Sequence, residues 1–364
     1  MHVIINRSAL VEVLGIGSGV VASRTTKELL KCVRFAAAND GLLICATDQE
    51  VNVRATVHQV EVRVAGEVLV PLDKVMQITR ESVDETLELK VEDERCHIRG
   101  RDSHFEIYIQ DPAEFPAVPD LEGDGDIAIE AAALQTAIDQ TIFAVAKENT
   151  RYAINGILWE KHGKKLNLVA TDGRRLAWAS CVPDKMAGDD KRVIAPVKTM
   201  SILQRALAAA EGPVVIELRE NQILARAGAY VVSSALVEGH FPQYQDVIPK
   251  DADRQVQLNT EEFRSAVRRA ALLTNEQSKG IRLRFADNQL VLSSRAPEQG
   301  EATVAMPVEF DGPALEIGFS PVFVEDALRV AGTPTVSLEM RDADRPGVIK
   351  AGGFLYVVMP VNLA

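Results

Sequence analysis

The chain has little of what several function classes require. Its four cysteines, Cys32, Cys45, Cys96 and Cys181, show no C-x-x-C spacing, and each sits in or beside an apolar segment. They are read as buried free thiols, not as metal or redox groups. No apolar run approaches the ~20 residues of a membrane span. The start, Met1-His2-Val3-Ile4-Ile5, alternates like a strand and not like a leader. A cytoplasmic chain without a membrane partner is expected. The histidines, His2, His58, His97, His104, His162 and His240, show no H-E-x-x-H or similar ligand spacing. No serine sits in G-x-S-x-G. Catalytic residues, a metal and a cofactor are therefore all expected to be absent.

Positive charge is also short. The formal net charge is −12, which argues against a protein that grips nucleic acid mainly through Lys and Arg contacts to phosphate. Gly15-Ile16-Gly17-Ser18-Gly19 follows a helical pattern, lacks a downstream Gly-Lys-Ser/Thr and opens no βαβ unit. It reads as a helix terminus and not as a phosphate loop. Glu122 to Asp126 lacks the spaced ligands and terminal Glu of an EF-hand loop and reads as a linker.

What the chain does have is a repeat. Its 364 residues suit two or three domains, and one opening pattern occurs three times. The copies begin Val3, Ile5, Leu10, Leu14; Ile127, Ile129, Leu134, Ile138; and Val256, Leu258, Phe263, Val267, with identical internal spacing. An alternating apolar pair predicts a half-buried strand, and a pair four apart predicts one helix face. Asn259 with Glu262 three residues on marks a helix start. Ala46-Thr47-Asp48 returns as Ala170-Thr171-Asp172. A second strand-to-helix passage recurs around Pro71, Pro196 and Pro321, where proline suits the first helical turn. Phe115-Pro116, Phe241-Pro242 and Met359-Pro360 close the copies. The expected domains are 1–122, 123–251 and 252–364, each α+β, with two helices packed on one face of an antiparallel sheet. In Thr171-Asp172-Gly173-Arg174-Arg175 a carboxylate stands beside two cations, which favours an ion-paired Asp172 over a general acid.

Five segments, in order, resemble a known family: Arg151-Tyr152-Ala153-Ile154-Asn155-Gly156; Ala170-Thr171-Asp172-Gly173-Arg174-Arg175-Leu176; Gly239-His240-Phe241-Pro242-Gln243-Tyr244; Thr274-Asn275-Glu276 before Gly280-Ile281-Arg282; and Tyr356-Val357-Val358-Met359-Pro360. On these residues the chain resembles, over its whole length, the bacterial DNA polymerase III beta subunits, the replicative sliding clamps. The resemblance implies a non-catalytic processivity factor. It implies a head-to-tail homodimeric ring of six domains around double-stranded DNA, held topologically and independently of sequence, with helices lining the bore. A mildly basic bore inside an acidic exterior would reconcile the net charge with that role.

The resemblance also assigns residues. For DNA it nominates Arg24, Lys74, Glu148, Arg151, Tyr152, Ala153 and Lys198, and the spacing of Arg264 and Arg268 fits a further basic helix face, with an ordinary solvated face as the other reading. For the dimer seam it nominates Phe105, Leu272 and Leu273, the leucines having ordinary core at a helix end as their other reading. Short apolar peptide motifs of the DNA polymerase III alpha subunit, the clamp loader, other polymerases and repair proteins are expected in a groove. Its matching positions are Ile154, Thr171, Gly173, Arg174, Arg175, Leu176, Pro242 and Val247, closed by Val357, Val358, Met359, Pro360 and Val361, with core packing as the other reading of Val357 and Val358. The sequence departs from the family at Asp73 and Ala153, commonly basic and tyrosine, at Asp246 and Ser278, usually basic and aromatic, and in the altered ending Val361-Asn362-Leu363-Ala364. Softer DNA contact and a shifted peptide preference are expected from these. An enzyme on a repeated scaffold, or a scaffold binding proteins but not DNA, would share the repeat but not the ordered motifs.

Overall fold

The periodic residues become the core. Val3, Ile5, Leu10, Leu14, Ile127, Leu134, Ile138, Val256, Phe263 and Val267 are all fully buried, each side chain contributing roughly 1.5–3 kcal/mol on leaving water. The computed structural model describes all residues except 22–24, 39–40, 149–151, 275–279, 298 and 364. Its first repeat runs β1 (His2–Asn6), α1 (Arg7–Gly17), β2 (Cys32–Ala38), β3 (Gly41–Thr47), β4 (Val51–Val57), β5 (Val60–Val64), β6 (Gly66–Pro71), α2 (Leu72–Glu81), β7 (Thr86–Glu92), β8 (Arg95–Arg99) and β9 (His104–Tyr108). The second runs β10 (Ile127–Glu130), α3 (Ala131–Ile142), β11 (Gly156–His162), β12 (Lys165–Thr171), β13 (Arg175–Cys181), β14 (Lys185–Met186), β15 (Lys191–Pro196), α4 (Val197–Ala208), β16 (Pro213–Leu218), β17 (Gln222–Ala227) and β18 (Tyr230–Ala235). The third runs β19 (Arg254–Asn259), α5 (Thr260–Ala271), β20 (Ile281–Ala286), β21 (Gln289–Ala296), β22 (Gly300–Pro307), β23 (Leu315–Phe319), α6 (Pro321–Val330), β24 (Thr335–Met340), β25 (Gly347–Ala351) and β26 (Phe354–Val358).

The helix starts follow capping chemistry. Asn6 and Asn259 accept the backbone N–H of Ala9 and Glu262, each at 3.1 Å, satisfying one of the donors that a first turn leaves open. The prolines differ from expectation in detail. Only Pro321 lies inside a first turn, whereas Pro71 and Pro196 end their strands and stand at the N-cap. The glycine-rich stretch after Leu14 is the end of α1, with Ser18 as its C-cap.

The single sheet per repeat is corrected: each repeat divides its strands between two antiparallel sheets. The four sheets have the orders β5-β1-β7-β8-β9, β14-β10-β16-β17-β18-β4-β3-β2-β6, β15-β11-β12-β13-β26-β25-β24-β19 and β22-β21-β20-β23. Two of them cross repeat boundaries, through β4 with β18 and β13 with β26. The chain accordingly forms two compact units, residues 1–135 with 183–189 and 195–236, and residues 136–182 with 190–194 and 237–364. In the first, α1 packs on α2 and on β1, β3 and β4, and α4 packs on β17 and β18. In the second, α5 packs on α6 and on β20, β21 and β22, and α6 packs on β26.

Candidate functional site

Within the second unit, the turn from β12 to β13 builds one wall of a groove. Gly173 takes φ +86°, a left-handed conformation that favours glycine. Thr171 Oγ1 accepts the Gly173 N–H at 3.1 Å and donates to the Arg175 carbonyl at 2.7 Å. Asp172 Oδ1 accepts the N–H groups of Arg174 and Arg175 at 2.9 and 3.1 Å. The Arg175 guanidinium is spent on structure. It donates to Asp172 at 3.0 Å, Asp326 at 2.7 Å and the Phe143 carbonyl at 2.6 Å. It also lies over the rings of Phe143 and Phe323, at 5.3 and 4.4 Å.

The ladder of β13 with β26 opposes Leu176 to Val357, and the Met359 N–H donates to the Arg174 carbonyl at 2.9 Å, holding the tail along the turn. The far wall is residues 152–154, tied back by the Ala153 N–H donating to the His240 carbonyl at 3.2 Å. Beneath it Tyr244 is buried, its hydroxyl donating to Glu160 at 2.7 Å. Burial and that carboxylate raise the Tyr244 pKa, so the hydroxyl stays a donor.

These walls enclose about 240 Å³, lined by Tyr152, Ile154, Thr171, Gly173, Arg174, Arg175, Leu176, Pro242, Gln243, Tyr244, Val247, Val357 and Met359. Tyr152, Val247 and Met359 are exposed at its mouth. An aliphatic and aromatic trough with a few fixed polar groups suits an apolar side chain presented on a peptide.

Ten of the thirteen expected groove residues line this cavity, and three do not. Val358 is fully buried, opposite Arg175 on one side and Gly347 on the other, because period two turns it from the face that Val357 uses. Pro360 and Val361 lie past the groove, where the Val361 N–H donates to the Gly318 carbonyl at 2.9 Å. Gln243, Tyr244 and Tyr152 are the lining residues that sequence reasoning missed or assigned elsewhere. The Phe241-Pro242-Gln243-Tyr244 motif was the available signal for the first two.

The expected DNA residues fare unevenly. Arg24 and Arg151 lie outside the described residues, as does Ser278. Ala153, expected at the DNA, is 8% exposed and belongs to a core cluster with Leu158, Val169, Leu176, Tyr244 and Val357. Tyr152 lines the groove. Lys198 Nζ donates to the Asp48 carboxylate at 2.5 Å and the Val20 carbonyl at 2.7 Å, a tie inside the first unit that neutralises its charge. Glu148 is exposed, and Lys74 is exposed 3.6 Å from Asp73. Arg264 is shared by Glu261 and Glu325, while Arg268 is exposed and has no ion-pair partner among the described residues. Of the seam candidates, Phe105 is 41% and Leu272 76% exposed, and Leu273 is half-buried. Among the described residues no helix is long and apolar enough to cross a membrane.

A threefold βα repeat whose sheets run on from copy to copy is the architecture of a DNA sliding clamp. Family models agree in order along the chain: the DNA polymerase III beta subunit N-terminal domain over residues 1–119, its central domain over 128–243 and its C-terminal domain over 245–362. The chain is 34% identical to the beta sliding clamp of Pseudomonas aeruginosa and 32% identical to that of Escherichia coli, covering all of both chains in each case. The crystal structure of the Pseudomonas aeruginosa sliding clamp bound to griselimycin superposes with a TM-score of 0.93 at 34% identity, again over the full length of both chains. The chain belongs to the bacterial DNA polymerase III beta subunit family.

Proposed function

We propose that two copies of the chain join head to tail into a ring that encircles duplex DNA and slides along it without reading sequence. Each chain supplies three domains, 1–122, 123–251 and 252–364, a division supported by the spans of the three family-model matches. The order of strands carries this reading. A mid-repeat strand joins the final strand of the next repeat twice, β4 with β18 and β13 with β26. The third join of the series needs β22 and β9, and among the described residues both are free edges of their sheets. A second copy supplies the missing partner to each edge, closing a heterologous contact by rotation.

The two existing joins also say what the seam buries. Tyr230 of β18 is 3% exposed and donates to Glu12 of α1 at 2.6 Å. Tyr356 of β26 is fully buried, 5.8 Å from Phe143, the residue following α3. Phe105 on β9 and Leu272, the residue following α5, are the uncovered counterparts. Leu273 lies beside the start of β22, within reach of Gly300.

Topological linkage frees the protein from strong phosphate contacts, which suits a net charge of −12. Arg24, Lys74, Arg151 and Arg268 supply weak backbone contacts, and Lys198 supplies less because Asp48 holds it. The groove receives short apolar motifs of the DNA polymerase III alpha subunit, the clamp loader, other polymerases and repair proteins. The role is non-catalytic and belongs in the cytoplasm, with the chromosome. The test is to load the protein on nicked circular DNA with a clamp loader and then linearise the circle. A ring runs off the ends, and retention on the linear product refutes topological binding.

A further inference from the structure

The hairpin of β8 and β9 assembles a donor set that linear spacing conceals. Its register opposes His97 to Glu106 and Arg99 to His104, so His97, His104 and Glu106 share one face of the sheet. Cys96, Ile98 and Ile107 are buried on the other. His97 Nδ1 lies 3.0 Å from His104 Nε2, with the rings stacked at 5.3 Å between centroids. Glu106 Oε1 is 3.9 Å from His97 Nδ1, and one donor atom from each residue falls within 4.8 Å of the other two. Ligands at ~2.0–2.1 Å from a tetrahedral ion stand roughly 3.3 Å apart, close to the spacing already present. Glu106 is also oriented from outside: Arg95 engages its Oε2, leaving Oε1 turned to the imidazoles, and Arg95 itself stacks 5.5 Å from the Tyr108 ring centroid. Such outer partners fix a ligand's direction before the ion arrives.

We propose that His97, His104 and Glu106 bind one divalent transition-metal ion per chain, zinc in the first instance. Two imidazole nitrogens and one carboxylate oxygen are borderline donors that suit zinc, and they discriminate against magnesium and calcium, which take all-oxygen shells. Three protein ligands leave a position for water. The ion replaces the imidazole–imidazole hydrogen bond and links the edge strand β9 to β8 through side chains, adding to the ladder between them.

The test uses the full chain, stripped with a chelator and titrated with zinc chloride by calorimetry. One saturable site per chain is expected. His104→Ala, on the outward face of the seam strand β9, weakens it by more than the ~10–100-fold that losing an outer partner costs, whereas His162→Ala, at the separate exposed His162–Asp190 pair, leaves it unchanged. Cobalt(II) as a spectroscopic probe gives visible d–d bands with the parent chain and none with His104→Ala, a readout independent of stability. Absence of saturable zinc binding overturns the site. So does binding that survives His104→Ala or disappears with His162→Ala.

Discussion

Phe105→Ala tests the seam directly. Phe105 faces the helix side of its sheet, opposite the buried Ile98, yet 41% of it is exposed, while the aromatic residues at the two internal joins are covered. A phenylalanine side chain carries roughly 200 Å², so covering its exposed part removes ~80 Å² from water, about 2 kcal/mol per seam at ~25 cal/mol per Å². A ring of two chains has two seams, so the substitution costs about 4 kcal/mol of association, close to a thousandfold in dimer dissociation constant. The folded chain itself also loses packing, because more than half of Phe105 is already covered there, and its Tm is expected to fall modestly. Sedimentation equilibrium over a wide concentration range, with circular dichroism of the same samples, separates the two effects. A dissociation constant within threefold of the parent chain, with the fold intact, refutes the assignment of β9 to the seam.

Three further outcomes are expected. Ending the chain after Val358 keeps β26 whole and removes Met359, so an apolar clamp-binding peptide followed by fluorescence anisotropy binds ~10–100-fold more weakly while the dimer persists; intact affinity sinks the groove placement. Burial pushes the Cys32, Cys45 and Cys181 thiols up to about 11 and Cys96 to about 12. At pH 8 a chromogenic disulfide reagent therefore labels the native chain far more slowly than the denatured one, and rapid native labelling contradicts it. Because these folded values lie above the unfolded ones, the folded chain keeps protons that the unfolded chain releases, and stability falls as pH rises from about 9 toward 11. Lys198→Ala releases Asp48 and lowers Tm with less than a twofold change in retention on DNA circles; a large loss of retention at unchanged Tm shows instead that Lys198 meets DNA.

Much of the fold was legible because burial writes itself into period. Val3 and Ile5 as strand, and Leu10 and Leu14 as helix, needed only local spacing, and the same spacing located the other two copies. Sheet membership was not legible. β4 and β18 are both largely buried, and no local pattern says that they pair with each other across a repeat boundary. At the groove the resemblance carried both Val357 and Val358, where strand alternation alone would have kept one. The Asp172 pairing was readable from adjacent charges. The Asp326, Phe143 and Phe323 contacts that immobilise Arg175 come from α6 and from the residue after α3, distant in sequence, and had no local signature.

The free edges show the same limit, and they also make the argument for assembly. An edge strand with unpaired backbone groups and exposed Phe105 and Tyr108 is a liability for a solitary chain, since it templates indiscriminate pairing. β9 carries no proline to blunt it. The same type of join is closed twice inside the chain, with its aromatic residues covered. An apolar edge is tolerable at the third join when a second copy covers it, and the ring is the arrangement in which every such edge is covered at once.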